Sequence, residues 1–141
     1  MKKCLPLLLV IFFATFSCKK DCKPKEEDSD KISLENAVVV KEGSFVFSKQ
    51  SAGSGRAVVY RQVNGKYVLG LEQMSLNAGH DLDVYLSTAV TGGKAVKLFS
   101  IRVVDGKFYY ELPAGINAAD FAYILFISDT ANEPVAVAAL K

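Results

Sequence analysis

Apolar and polar residues alternate in short runs from residue 37 to the C-terminus, and small or turn-forming residues separate these runs. A period of two is typical of a β-strand that buries one face, whereas a helix repeats its apolar positions every three to four residues. No apolar pattern of helical period and helix length occurs in this part of the sequence. The pattern therefore predicts an all-β domain.

About eight short strands are expected from the runs and the turns between them. They lie within residues 43–50, 56–63, 66–74, 81–88, 95–104, 105–113, 121–128 and 134–140, with a loop that includes one helical turn at 114–120. Strands without the long spacing of parallel β-α-β units predict an antiparallel β-sandwich, and a barrel is the alternative.

Two residue pairs predict tight hairpins between neighbouring strands. Asn64 and Gly65 lie between the second and third runs, and Asp105 and Gly106 lie between the fifth and sixth runs. Asn-Gly and Asp-Gly accept the positive φ angles of a type I′ turn. We expect that turn at Asn64 and Gly65, and a second hairpin at Asp105 and Gly106.

The first 17 residues have the layout of a cleaved signal peptide. Lys2 and Lys3 precede an apolar run at 5–16, and Ser17 precedes Cys18. The run is shorter than the roughly 20 apolar residues that span a bilayer. The junction Thr-Phe-Ser-Cys resembles the lipobox of bacterial lipoproteins, of the kind found in Bacteroidetes. The resemblance implies that Cys18 is acylated after cleavage, and an ordinary secretory signal with an incidental cysteine is the alternative.

The segment 19–31 is almost wholly charged or small, which predicts a disordered tether. Cys18 and this segment lie in the region 18–32, between the signal peptide at 1–17 and a single domain at 33–141. Two or three acyl chains hold a protein firmly on a membrane. We therefore expect a lipid anchor on the bacterial outer membrane, at its periplasmic face or at the cell surface.

Charge and cysteine content exclude several partners and chemistries. Lys2 and Lys3 leave with the signal peptide, so the rest of the 17 basic residues balance the 15 acidic residues. A neutral domain lacks the basic surface that nucleic-acid binding needs. Cys4 leaves with the signal, Cys18 carries the lipid and Cys22 lies in the tether. The domain therefore has no disulfide, no thiolate metal site and no cysteine nucleophile.

The stretch 79–88 holds the only histidine of the chain, His80, beside Asp81 and Asp83. Histidine and carboxylates are metal ligands, but calcium prefers six to eight oxygens and zinc would need further His or Cys ligands. We therefore predict no metal and no cofactor. His80 and Asp83 are the candidate ligands if a site exists.

A strand is the simpler interpretation of this stretch. Alternate residues of a strand point to opposite faces, so Leu82, Val84 and Leu86 should face the core. The polar alternates should face solvent, and they are Asp81, Asp83, Tyr85 and Ser87. His80 would then be a turn residue before the strand.

We find no catalytic constellation in the sequence. Acid–base catalysis needs a positioned base near a nucleophile, and the phosphate-loop, serine-hydrolase and zinc-protease motifs are absent. Tyr109 and Tyr110 are adjacent in a predicted strand, so one ring must point inward and the other outward. An outward tyrosine could belong to a binding face, although packing across strands is its commoner use.

The stretch 79–87 resembles the motif of the DM-thirteen family, small β-domains found with DOMON modules and as bacterial stand-alone domains. That motif runs roughly Gly-Pro-Asp-Leu-x-Val-Tyr-Leu-Ser. The matching residues are Gly79, Asp81, Leu82, Val84, Tyr85, Leu86 and Ser87. His80 stands where the family has proline, and the likeness extends over residues 43–140.

The resemblance implies a role in electron transfer, because a cysteine near the end of the penultimate strand is proposed as the family's redox thiol or prosthetic-group ligand. The matching position lies near Ser128 or Asp129, and neither side chain can cycle between thiol and disulfide. We therefore rank a non-catalytic display or binding domain for an envelope protein or small ligand first. An electron-transfer accessory is second, and a hydrolytic enzyme is third.

Overall fold

The computed structural model describes residues 32–49, 51–130 and 133–141. These residues form six strands, all paired antiparallel, and one 3-10 helix at Ala118–Asp120. The strands are β1 (Val38–Phe47), β2 (Gly53–Arg61), β3 (Tyr67–Ser87), β4 (Ala95–Glu111), β5 (Tyr123–Ser128) and β6 (Pro134–Ala139). The predicted all-β, antiparallel class is confirmed.

The sheet closes into a five-stranded barrel with β4 as an extra strand. Around the ring, β1 pairs with β2 and β6, and β6 pairs with β5. The ring is completed by β3, because its first half pairs with β2 and its second half with β5. β4 runs along the opposite edge of β3 over both halves. Of the two architectures open from the sequence, the chain adopts the barrel-like one.

The described residues form fewer strands than expected because β3 and β4 are long. β3 contains the predicted strands at 66–74 and 81–88, and β4 contains those at 95–104 and 105–113. Both long strands pass through positions where the sequence predicts an interruption.

The hairpin expected at Asp105 and Gly106 is wrong. Asp105 pairs with Ser75 and Gly106 with Met74, so β4 continues through these residues. Gly106 has a φ of 89° and lies beside a register shift in β3. A glycine at positive φ suits a β-bulge as well as a hairpin turn, and the local sequence does not separate the two.

A second irregularity bends β3 in its middle. Asn77 pairs with Val103 and Leu82 with Ile101, so residues 78–81 lie opposite the single residue 102. Bulges of this kind bend a strand and increase its twist. The bend separates the half of β3 that pairs with β2 from the half that pairs with β5. His80 therefore lies in a bulge inside a long strand, and its prediction as a turn residue is wrong.

The hairpin at Asn64 and Gly65 is confirmed, but its turn type differs from type I′. The backbone N–H of Gln62 donates to the carbonyl of Lys66 at 2.8 Å, and that of Gly65 donates to Gln62 at 2.9 Å. Gly65 has a φ of 83°, whereas Asn64 is not among the residues with positive φ. The loop 63–65 is thus the three-residue type, in which glycine alone takes the left-handed conformation.

The core lies inside the barrel and is made of alternate residues of its strands. β3 contributes at least five fully buried side chains, namely Leu69, Leu71, Leu82, Val84 and Leu86. Phe126 of β5 packs on Phe45 of β1 with ring centroids 4.4 Å apart. The core positions predicted in the stretch 79–88 are confirmed, and burial of this apolar surface is the main stabilising term of the fold.

The connection between β4 and β5 is held to β1 by a lysine. The Lys41 ammonium donates to the carbonyl oxygens of Ala119 and Phe121 at 3.0 and 2.8 Å. The helical turn expected in 114–120 is the 3-10 helix, and the Asn117 side chain caps it by accepting from the N–H of Ala119 at 3.1 Å.

Candidate functional site

The polar face of the stretch 79–88 is less uniform than predicted. Asp81 is exposed, whereas the Asp83 and Tyr85 side chains are partly buried. Ser87 is 1% exposed, so its prediction as a solvent-facing residue is wrong. Its hydroxyl donates to the Ala89 carbonyl at 2.6 Å, and this bond satisfies the group inside the protein.

The two aspartates of this stretch are bound to β4. The Asp83 carboxylate accepts from the Ser100 hydroxyl at 2.6 Å and lies 3.1 Å from the Lys97 ammonium. The Ser100 hydroxyl, together with Lys97, holds the pKa of Asp83 below its usual range. Asp81 accepts from the Arg102 Nε at 3.0 Å. Both carboxylates thus have partners from the neighbouring strand.

His80 points the other way, toward the end of β5. Its Nε2 lies 3.1 Å from the hydroxyl oxygen of Ser128, which in turn lies 3.0 Å from that of Thr130. This contact was not predicted from the sequence because it joins residues 48 positions apart. The resemblance to the DM-thirteen family predicts that family's cysteine near Ser128 or Asp129, and this prediction is the one signal that could have drawn attention to Ser128.

This contact does not complete a catalytic triad. Ser128 is 3% exposed, so its oxygen is shielded from a substrate. Among the residues that the structure describes, no carboxylate is hydrogen-bonded to His80. The candidate ligands His80 and Asp83 are also directed to different strands, and no group of three or more His, Cys, Asp or Glu able to hold a metal occurs in the described ranges.

A second polar site lies on the outer face of β2, β3 and β4, and we call it the Glu72 cluster. It consists of Arg56, Tyr60, Glu72 and Tyr109. The Glu72 carboxylate accepts from the Arg56 guanidinium at 2.8 Å, from the Tyr109 hydroxyl at 3.2 Å and from the Tyr60 hydroxyl. One carboxylate therefore joins three strands.

The electrostatics of the cluster favour an ionised carboxylate among protonated phenols. Burial raises the pKa of Glu72, but hydrogen bonds from Tyr60, Arg56 and Tyr109 outweigh burial, and the net pKa is lowered. Burial, together with the charge of Glu72 and its hydrogen bonds, raises the pKa of both tyrosines. The two phenols therefore stay protonated near neutral pH and act as donors.

The packing of the cluster requires a glycine beneath the two rings. A Cβ atom at Gly70 would lie 2.9 Å from the Tyr109 ring and 3.1 Å from the Tyr60 ring. The two ring centroids are 6.3 Å apart. Val58 and Val68 are also buried although they alternate with the core residues of their strands. This outer face is thus packed rather than open.

The sequence indicated part of the cluster. Of the two adjacent tyrosines, Tyr109 joins Glu72 on the outer face and Tyr110 packs against the core, as the alternation predicts. Glu72 was missed, and the signal that could have found it is a charged residue that directly follows the apolar run 68–71.

Comparisons with protein-family models, with curated proteins and with solved structures found no match to this chain. The resemblance to the DM-thirteen family therefore stays a prediction. Within the described ranges, no helix has the length and apolar character needed to span a membrane. Residues 1–31, which include Cys18, lie outside the described residues.

Proposed function

We propose that the protein is a lipid-anchored binding domain of the bacterial cell envelope, without catalytic activity of its own. Its signal peptide and Cys18 would place it on the outer membrane, and a barrel beginning soon after the tether would be displayed to an envelope protein or a small ligand. This proposal includes the resemblance to the DM-thirteen family, from which the chain would have its fold but not the redox cysteine.

One observation carries the proposal: each side chain considered for chemistry is engaged with a structural partner. Glu72 is bound by three donors, Asp83 by Ser100 and Lys97, and His80 by Ser128. A general base or nucleophile must instead be free to reach a substrate. A barrel whose polar side chains are bound to one another suits a display role.

Acylation is the first part to test. The full chain is expressed in a Gram-negative bacterium with an alkyne fatty acid, and labelled protein is detected after click reaction. Cys18→Ala should lose the label and leave the membrane fraction, whereas the matched variant Cys22→Ala should keep both. Equal labelling and membrane retention of the Cys18→Ala variant would disprove the lipid anchor.

The electron-transfer accessory is the second candidate, and the contact of His80 with Ser128 favours it. By the resemblance, the family's cysteine would lie near Ser128. The hydroxyl oxygen of Ser128 is 3.1 Å from Nε2 of His80, the only histidine of the chain. An accessory role here would require a bound prosthetic group, because serine is not redox-active. Visible spectra of the purified chain before and after dithionite test this role. A haem band that survives purification and disappears in His80→Ala would favour the accessory over the binding domain.

A hydrolase remains the third candidate, for which the Ser128 hydroxyl near His80 would be the nucleophile. Incubation with a fluorophosphonate probe tests it. Labelling that Ser128→Ala abolishes, and Ser100→Ala leaves intact, would replace the binding proposal with an enzyme.

A further inference from the structure

Four of the seven exposed large apolar side chains that the structure describes lie at one end of the barrel, and the other three are Val46 in β1, Val90 in the β3–β4 loop and Val103 in β4. Val38, Val39 and Val40 begin β1 and are 65%, 48% and 39% exposed, and Val63 in the β2–β3 loop is 78% exposed. Val38 pairs with Arg61, so the start of β1 lies beside the base of that loop. We call these four valines the valine end.

This grouping differs from scattered surface valines, which are ordinary in soluble proteins. Three of the four are consecutive, and the fourth occupies a loop tip, where polar residues are usual. Val63 has the largest exposed fraction among the large hydrophobic residues that the structure describes as exposed.

The chain also enters the domain at the valine end. The Gln62 side-chain amide donates to the Ser33 carbonyl at 2.9 Å, so the first described residues pack against the loop that carries Val63. A tether over residues 19–31 would span at most about 45 Å when extended, and roughly 20 Å as a flexible coil. If Cys18 is acylated, the valine end is therefore the part of the domain held nearest the lipid.

One of the two cations beside this loop is already paired with a carboxylate. Arg61 and Lys66 flank the loop, but the Lys66 ammonium lies 3.0 Å from the Glu111 carboxylate. Attraction of this face to lipid should therefore be apolar, with one salt-dependent contribution from the exposed Arg61.

We infer that the valine end rests in the interfacial region of the membrane to which the protein is anchored, with Val63 in contact with lipid. This inference rests on the proposed lipid anchor, and it adds a defined orientation: the β2–β3 loop faces the bilayer and the β1–β2 loop faces away. The ligand-binding surface would then lie away from the valine end.

The test uses single-cysteine variants of the acylated full chain in a Cys22→Ser background. Val63→Cys and the control Ala52→Cys, at the opposite end of β2, are labelled with a polarity-sensitive fluorophore. The proteins are reconstituted in vesicles of equal parts phosphatidylethanolamine and phosphatidylglycerol. The probe at residue 63 should shift to shorter wavelength and be quenched by headgroup-region nitroxide lipids, whereas the probe at residue 52 should report water.

Water-like emission at both positions in vesicle-bound protein would overturn the inference. Vesicle flotation measures the anchor separately, so loss of flotation would count against the proposed function alone. In that case a His-tag replacing residues 1–18 and nickel-chelating lipids restore the tether, and the same two probes decide the orientation. The probe at residue 63 could also report an apolar environment without vesicles, in a species of twice the monomer mass. That result would show that a second copy covers the valines, and it would also overturn the inference.

Discussion

Glu72 in the first half of β3 and Asp83 in the second half differ in which strands supply their hydrogen-bond donors. The two side chains are similarly shielded, with 13% and 16% exposed. Donors to Glu72 come from β2 and β4, whereas Ser100 and Lys97, which bind Asp83, both come from β4, and Asp129 just after β5 also contacts the Asp83 carboxylate. We therefore expect the contribution of each carboxylate to stability to follow the donors that rely on it rather than its own exposure.

The apolar side of β3 provides the reference for this comparison, because both halves bury leucine equally. Leu71 and Leu86 are each 0% exposed. Replacing either by alanine should lower the free energy of unfolding by about 2–5 kcal/mol, since transfer energy is lost and a cavity remains. Urea unfolding measures both values. If only one of the two leucine variants lost less than about 1 kcal/mol, the two halves of β3 would also differ in their core. A difference between Glu72 and Asp83 could then not be assigned to their hydrogen-bond donors.

Glu72→Gln should have the next largest effect. Glutamine keeps the shape of the side chain but has only one acceptor oxygen. Its NH₂ group would face the Arg56 guanidinium, donor against donor. The partly buried hydroxyls of Tyr60 and Tyr109 then compete for the remaining acceptor. A loss of about 1–3 kcal/mol in the free energy of unfolding is expected, again from urea unfolding. The matched control is Glu111→Gln, whose exposed pair with Lys66 should contribute less than about 1 kcal/mol. Equal losses for the two variants would show that the Glu72 cluster adds nothing beyond a surface ion pair.

Acid should remove the advantage of Glu72. Its pKa is lowered from an ordinary value of 4.5, so the native state stabilises the ionised form. That stabilisation is fully present above about pH 4.5 and is lost as the pH falls through the lowered native pKa. The difference in unfolding free energy between the parent and Glu72→Gln, measured by urea unfolding from pH 7 down to pH 3, should shrink accordingly. A constant difference across this range would show that ionisation of Glu72 is not linked to folding.

Asp83→Asn should cost less than Glu72→Gln. The amide oxygen can still accept from Ser100, the amide group can replace the carboxyl contact with Asp129, and the ion pair with the exposed Lys97 is lost. A decrease of about 1 kcal/mol or less in the free energy of unfolding is expected. Raising the salt concentration should reduce the effect further, because salt screens the ion pair. A loss as large as that of Glu72→Gln would mean that the number of strands joined by a carboxylate is unimportant.

Features that depend on local alternation could be predicted from the sequence, whereas features that depend on pairing between strands could not. Alternation places Leu82, Val84 and Leu86 in the core because burial on a strand has a fixed period of two. The continuity of β4 through Gly106 depends on its pairing with β3, which no local pattern encodes.

The polar sites depend on register still more strongly. Arg56 meets Glu72 because the two residues are partners in the β2–β3 ladder, and Tyr109 reaches them from beside Gly70. His80 meets Ser128 only because β5 pairs with the second half of β3. The stretch 79–88 attracts attention by its dense polar residues, yet the fold directs them to separate partners.

The smallest effects are expected at His80 in the second half of β3. His80→Ala should change the free energy of unfolding by no more than about 0.5 kcal/mol, because the side chain is exposed and Ser128 keeps Thr130 as a partner. Zn²⁺ and Ca²⁺ should leave the melting temperature of the parent unchanged, since an ion that binds only the native state raises it by mass action. Differential scanning calorimetry with and without each ion, on the parent, His80→Ala and Asp83→Ala, makes both measurements. A metal-dependent rise that either substitution abolishes would show that His80 and Asp83 share a ligand, and that the second half of β3 holds a functional site.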